Sequence, residues 1–282
     1  MRRRPFATVA ALATAVLTAG VLVGCASVEA PGEVVARSPP AAEVPPAPAA
    51  TPPAEPPSFE QRLERAGVAL DLPDDGKAIV VNIPAFELIA FEDAEPVLES
   101  RVIVGTPANP TPVLETFTTK VRFRPTWRPT AAMLASGEYE DRVWPPGENN
   151  PLGLAAVRLE PGLLVYLHDT NRPQLFEREN RALSHGCVRV ERWRELVAWL
   201  LDWSPERVDR VAHGEGTRDV ATPEVPVHLG YFTTFPAPDG GIERYADLYD
   251  RAAATVTPVA FDGEARSCAG FVGTVDVLDG DG

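Results

Sequence analysis

Sulfur and imidazole are scarce in this chain: three Cys, two Met and four His among 282 residues. Three Cys cannot build the disulfide framework of a small secreted scaffold, and a chain of this length can bury a core without one. Basic residues are also few, with 26 Lys and Arg against 40 Asp and Glu and a net charge of −14. That balance excludes a nucleic-acid binder, which needs a basic face to neutralise phosphates. Proline runs the other way. Its 30 residues are about twice the usual share for a globular chain, so part of the sequence is not packed domain.

The start of the chain accounts for much of that excess. Arg2, Arg3 and Arg4 precede an apolar run from Phe6 to Val23 that contains no acid. A basic end followed by a short hydrophobic stretch and small residues is the layout of a secretory signal. As a membrane span it is marginal, with about 18 residues rich in Ala and Thr. Its exit, Leu22-Val23-Gly24-Cys25, resembles a bacterial lipobox, which implies removal of residues 1–24 and lipidation of Cys25. Ala26, where Asp would be the alternative, resembles lipoproteins sent to an outer membrane. The expected location is therefore the periplasmic face of the cell envelope, with the membrane reached through the lipid. Residues 26–57 are Pro and Ala with scattered Glu. Such a segment cannot offset its ordering entropy by burial, and it reads as an extended tether of order 60 to 100 Å at about 3 Å per residue.

From Ser58 the composition turns globular. Ser58, Gln61 and a closing Gly67 mark a short capped helix, so 58–75 reads as a helical lead-in. Apolar runs of strand length follow at 78–83 and 86–91, split at Pro84-Ala85 in the manner of a hairpin, and at 97–105, 117–123, 155–159 and 164–168. Trp193, Leu196, Val197 and Leu200 recur on one helical face, with Trp203 near its end. Residues 208–212 and 225–232 read as strands, 245–251 as a last short helix, and the acidic, Gly-rich stretch 252–282 as a poorly ordered tail. These readings make 76–251 a mixed α+β, β-rich domain. No internal repeat is present.

His, Cys and Gly crowd together in one place. Ser184-His185-Gly186-Cys187-Val188-Arg189 forms a loop entering an apolar strand, and Tyr166-Leu167-His168-Asp169 closes an earlier one. A thiol needs a base to become a nucleophile, and an imidazole on a neighbouring strand supplies it. Gly186 lets backbone amides approach a substrate carbonyl, where they can hold a developing oxyanion. On the residues alone two other readings stay open. Cys187 can be a buried structural thiol beside ordinary loop histidines. His168, His185 and Cys187 can also be zinc ligands, although the usual paired spacings are missing.

The segment from His168 to Arg189, with its Ser-His-Gly-Cys-Val-Arg end, resembles the signature of the YkuD-type L,D-transpeptidases, in their periplasmic Gram-negative branch. The resemblance runs from Gly76 to Arg251, through Val80-Val81-Asn82-Ile83-Pro84, Glu99-Ser100-Arg101, Thr111-Pro112-Val113, Leu152-Gly153, Leu175-Phe176, Arg181-Ala182-Leu183 and residues 226–231. It implies a YkuD-like catalytic domain, a β-sandwich of mixed sheets with one or two packed helices. It also implies peptidoglycan stem peptides as partners, inhibition by carbapenems and no cofactor or metal. Cys187 would attack the amide between the third residue and the D-Ala of a donor tetrapeptide, with His168 as base. An acceptor amine would then resolve the thioester into a 3→3 cross-link. Two alternatives stand beside this function. The thioester can be resolved by water or by a protein lysine (a carboxypeptidase or amidase, or lipoprotein attachment), or the chain can be a non-catalytic lipoprotein that grips the wall.

The remaining residues of the motif carry less defined expectations. Gly186 and Cys187 supply amides for the oxyanion, and His185 shapes the loop or contacts substrate. Arg189 clamps a stem carboxylate or holds the loop. Asp169 can orient His168, but neighbours on a strand face opposite ways, so a backbone carbonyl is the favoured partner. Ser184 reads as a loop hydrogen bonder. Trp127 and Pro129 border the cleft or pack in the core, and His213 and His228 sit on strands as structural residues. Between Trp127 and Leu152 the chain is short where long members of the branch insert a lid, which implies an open cleft. Asn171 stands where the branch often has Pro. Cys268 in the tail is not expected to pair with a nucleophile that must stay reduced.

Overall fold

The computed structural model describes residues 56–237, 240–251 and 259–260. The leader, Cys25, nearly all of the tether, Cys268 and the rest of the tail lie outside the described residues. Helix α1 (Phe59–Ala66) starts at Ser58, whose hydroxyl accepts the Gln61 N–H, and ends at Gly67 in the left-handed conformation. Strands β1 (Lys77–Asn82) and β2 (Glu87–Glu92) form an antiparallel hairpin with Val80 opposite Ile89. Alternate residues of this hairpin serve two cores. Ile79, Val81, Leu88 and Ala90 face the main one, while Ala78, Val80, Ile89 and Phe91 meet Phe59 and Leu63 of α1 and Phe235. Burial on both faces is why these strands read as unbroken apolar runs.

The chain continues through β3 (Glu95–Gly105), β4 (Leu114–Phe123), the five-residue α2 (Ala131–Ala135), β5 (Ala155–Leu159) and β6 (Tyr166–His168). A 3-10 turn (Pro173–Glu177) leads to β7 (Ala182–Ser184), β8 (Val188–Val190), α3 (Trp193–Leu201) and α4 (Pro205–Ala212). Then come β9 (Arg218–Ala221), β10 (Pro226–Gly230), the hairpin of β11 (Thr234–Pro236) and β12 (Ile242–Arg244), and β13 (Val259–Ala260). The hydrogen-bonded order is β10-β1-β2-β3-β8-β6-β5-β4, and β10 also pairs with β4, so the sheet closes on itself. The mixed, β-rich class stands, and the two faces of the sandwich are halves of one barrel-like sheet. Its interior holds Val81, Val104, Val121, Leu167, Val188 and Leu229, against which α3 and α4 bring Trp193, Leu196, Leu200, Val208 and Ala212. The β11–β12 hairpin is a second, separate sheet.

Several segments differ from the sequence reading. Residues 208–212 are the end of helix α4, not a strand. Ser204 caps that helix by accepting the Arg207 N–H at 3.3 Å, Pro205 occupies its first position, and buried Val208 and Ala212 lie one turn apart. Residues 245–251 are not helical, because their backbone N–H groups bond outside a helical ladder: Tyr245 donates to the Thr233 carbonyl, Tyr249 to the Tyr231 hydroxyl and Arg251 to the Asp247 carboxylate. His213 is exposed at the end of α4, where Nδ1 donates to the Asp209 carbonyl at 2.9 Å, and is not on a strand. His228 does sit on β10, 3.5 Å from Glu115. Within the tail, Val259–Ala260 pair in parallel with the start of β4.

Because the Ser204 side chain caps α4, Ser204→Ala is expected to cost about 1 kcal/mol. For a domain of this size that lowers the melting temperature by about 2–4 °C. A thermal melt followed by circular dichroism checks this, and an unchanged midpoint would mean that the cap contributes nothing.

Candidate active site

The site forms where two three-residue strands meet. Strands β6 and β8 are parallel, with Leu167 opposite Val188 and His168 opposite Arg189. Paired residues share a face of a sheet, and residues two apart on a strand do likewise. Leu167, Val188 and Val190 therefore point into the core, where all three are buried, and His168 and Arg189 point to the other side. Cys187 lies in the loop immediately before β8, where it packs partly against the main core beside Val188.

The loop into β8 is tightly braced. Ser184 Oγ accepts the Gly186 N–H at 3.0 Å and donates to the Cys187 carbonyl at 2.6 Å. Gly186 has φ of 107°, a conformation that side chains other than glycine rarely adopt. Its carbonyl accepts a hydrogen bond from Thr111 Oγ1 at 2.9 Å. Cys187 is half-buried, and its Sγ lies 3.5 Å from the Leu164 carbonyl. Arg101 and Arg181 secure the segment between the two strands. The first donates to Glu191, Glu177 and the Phe176 carbonyl, and the second to the Val102, Phe86 and Arg178 carbonyls.

His168 is 4% exposed. Its Nδ1 faces the Asp169 carbonyl oxygen. A carbonyl only accepts, so Nδ1 carries the proton and Nε2 is the basic nitrogen. Burial, and then the Arg189 charge, push the imidazole from its ordinary 6.5 down to about 3, against the pull of the Asp169 and Leu152 carbonyls. It is neutral at pH 7 and available to accept a proton. The Asp169 side chain turns the other way: its carboxylate accepts the Leu154 N–H at 2.8 Å and lines a groove of ≈ 690 Å³ with Trp193, Arg194 and His213. Its carboxyl is shifted upward, chiefly by burial. Asp169 thus meets His168 through its backbone.

Arg189 lies beside the thiol. Its Nε is buried with no hydrogen-bond partner among the described residues. Burial lowers its pKa, while Tyr139 and Cys187 favour its charge and Arg172 opposes it. Arg172 and Arg189 make this a cationic spot on an acidic chain. His185 projects under the segment after β4, where Tyr139 packs edge-on against its ring at 5.4 Å and approaches Nδ1 at 3.5 Å. Glu138 lies 3.8 Å from Nε2. Burial lowers the His185 pKa against the attraction of Glu138. Trp127 joins from behind: it bridges to Trp144 through both backbone groups and packs edge-on against Tyr139 at 5.7 Å.

The structure thus brings Cys187, His168, Arg189, Gly186 and Ser184 together, and it links His185 and Trp127 to them through Tyr139. Among the described residues no three His, Cys, Asp or Glu side chains gather as metal ligands, so His168, His185 and Cys187 do not form the zinc arrangement. Tyr139, Arg172 and Thr111 escaped the sequence reading as site residues. Tyr139 sits in a polar stretch without periodicity, and Thr111 showed only as part of a family-like segment.

Residues 76–228 match the model of the YkuD family, the L,D-transpeptidase catalytic domain. A Haemophilus influenzae protein bearing the L,D-transpeptidase name is 30% identical over 221 residues, covering 63% of this chain and 45% of that protein. The Escherichia coli protein YbiS, named to the same class, is 32% identical over 164 residues, covering 53% of this chain and 51% of its own. The chain spans about half the length of these curated relatives. A solved L,D-transpeptidase from Mycobacterium smegmatis aligns with a TM-score of 0.34 at 19% identity, over 55% of this chain and 58% of that one. An LD transpeptidase solved in complex with imipenem aligns with a TM-score of 0.32 at 18% identity, over 55% and 59%.

The buried neutral imidazole makes stability pH-dependent with a definite sign. Between about 3 and 6.5 the unfolded chain binds a proton that the folded His168 refuses. The contribution is therefore whole above pH 6.5 and is lost as pH falls toward 3, at up to about 1.4 kcal/mol per pH unit. Melting temperatures taken from pH 7 to pH 4 are expected to fall more steeply for the wild type than for His168→Gln. Parallel slopes would show that the imidazole is not held neutral.

Proposed function

Because the chain belongs to the YkuD family of L,D-transpeptidase catalytic domains, we propose that it is a cysteine acyltransferase that forms 3→3 cross-links in peptidoglycan. The observation that carries this reading is the parallel register that sets His168 opposite Arg189 and next to the Cys187 loop. Cys187 Sγ attacks the carbonyl between the third residue and the D-Ala of a donor tetrapeptide, and His168 Nε2 takes the thiol proton. The Cys187 backbone N–H holds the oxyanion, since the Gly186 N–H expected beside it is given to Ser184 Oγ. As the tetrahedral intermediate collapses, the C–N bond breaks and His168 returns the proton to the departing D-Ala amine, leaving a thioester on Cys187. The side-chain amine of a diamino acid on a second stem attacks the thioester, giving up a proton to His168. The new amide is the cross-link, and the thiol is restored.

Arg189 fits a stem carboxylate, since its buried Nε lacks a hydrogen-bond partner among the described residues and a guanidinium holds a carboxylate through two parallel bonds. Carbapenems are expected to acylate Cys187, as the family resemblance implies. The Leu22-Val23-Gly24-Cys25 exit and the Pro/Ala segment support a lipid anchor on Cys25, with the domain working on the periplasmic side at the end of its tether.

Purified protein incubated with disaccharide-tetrapeptide is expected to yield, by mass spectrometry, a dimer formed with loss of one D-Ala. Cys187→Ala and His168→Ala should lower that product by at least about 10³-fold while melting close to the wild type. Tripeptide without dimer would show that water resolves the thioester. Unchanged substrate with no adduct on Cys187 would overturn the enzyme in favour of a wall-binding lipoprotein.

A further inference from the structure

Beneath the nucleophile loop lies a buried hydrogen-bond network that the catalytic steps above do not use. Thr111 is fully buried. Its Oγ1 accepts the Gly105 N–H at 2.8 Å and donates to the Gly186 carbonyl at 2.9 Å. Its own N–H donates to the Tyr249 hydroxyl at 3.2 Å, and that hydroxyl donates to the Gly105 carbonyl at 2.7 Å. The Tyr249 N–H in turn donates to Tyr231 Oη at 2.6 Å, and the Tyr231 hydroxyl to Asp247 at 2.6 Å. The approach is so close that a Cβ on Gly105 would fall 2.6 Å from the Thr111 nitrogen, so only glycine fits there. Tyr249 lies beyond residue 228, where the family match ends.

From this geometry we infer that Thr111, supported by Tyr249, is a positioning residue for the oxyanion site. The inference rests on the acyl-transfer reading above. A trans peptide is planar, with its C=O and N–H pointing in opposite directions. Anchoring the Gly186 carbonyl on Thr111 therefore fixes the direction of the Cys187 N–H, the amide on the same residue as the attacking sulfur. The Gly186 N–H is already given to Ser184, so the Cys187 amide is the donor whose aim Thr111 controls. An oxyanion donor contributes only when aimed at the place where charge develops.

The test compares two reactions of the same thiol in the full protein. Acylation by a carbapenem passes through an oxyanion, whereas alkylation by iodoacetamide displaces iodide and forms none. Thr111→Val is expected to slow acylation about 10- to 100-fold and to leave alkylation within about twofold. Thr111→Ser, which keeps the hydroxyl, should restore acylation, and Tyr249→Phe should slow it less than Thr111→Val does, again without affecting alkylation. Equal losses in both reactions would overturn the inference, since the hydroxyl would then only hold the loop together. Unchanged acylation in both Thr111→Val and Tyr249→Phe would overturn it as well. A wild type that alkylates but is never acylated would overturn the transpeptidase reading, and this inference with it.

Discussion

The parallel pairing of β6 with β8 is the constraint that the rest of the molecule serves. Each strand is three residues long, so their own ladder supplies few hydrogen bonds. Yet a slip of one residue would turn His168 into the core and Leu167 out of it. Two kinds of neighbour hold the register. Leu167, Val188 and Val190 are buried in the main core with Trp193 and Leu196 of α3, so any slip would drive polar groups into apolar packing. The chain between the strands is fastened by Arg101 on Glu177 and the Phe176 carbonyl and by Arg181 on the Val102 and Phe86 carbonyls. Exposed ion pairs contribute little alone. Their value here is geometric, because each bridges the connecting segment to β3, which borders β8.

The same confinement decides the electrostatics. An imidazole and a guanidinium share a face, and burial opposes charge on both. The outcome differs because Arg cannot shed its proton near neutral pH, whereas His168 can and does. The resting base is thus neutral because Arg189 and the low-dielectric wall keep it so. On the proposed reading, an imidazolium formed by transfer of the thiol proton to Nε2 lies near both a developing negative centre and a fixed positive one. The titration then belongs to the group rather than to His168 alone. A stem carboxylate on Arg189 would remove the charge that most disfavours the imidazolium, so substrate binding and proton transfer reinforce each other in this arrangement.

Much of this was legible from the residues. The strands at 78–83, 86–91 and 155–159 announced themselves as apolar runs and the α3 face through its period, and Ser-His-Gly-Cys marked the site. What escaped was settled by contacts distant in sequence. Val208 and Ala212 read as strand because five residues cannot distinguish periods of 2 and 3.6, although Ser204-Pro205 carried the helix start in plain view. Residues 245–251 have helical composition but spend their hydrogen bonds on Tyr231, Thr233 and Asp247. Closure of the sheet depends on β10 meeting β4, a pairing across more than a hundred residues that local pattern cannot encode. Tyr139 matters only because Trp127 and Trp144 pair behind it.

On the proposed reading, the dyad treats every acceptor alike, so the choice of acceptor falls to the walls around the thioester. One wall is aromatic, with Trp127 packed on Tyr139 and Tyr139 on His185 of the loop. Another is cationic, with Arg172 close enough to oppose the charge on Arg189. Two guanidiniums repel an approaching ammonium but lower its pKa, and only the free amine can attack a thioester. An acceptor that carries a carboxylate near its amine offsets that repulsion and keeps the benefit of the lowered pKa. The side-chain end of a diamino acid with a terminal carboxylate has that form, whereas a protein lysine does not. The positive spot on an acidic chain therefore argues for a wall stem as the acceptor.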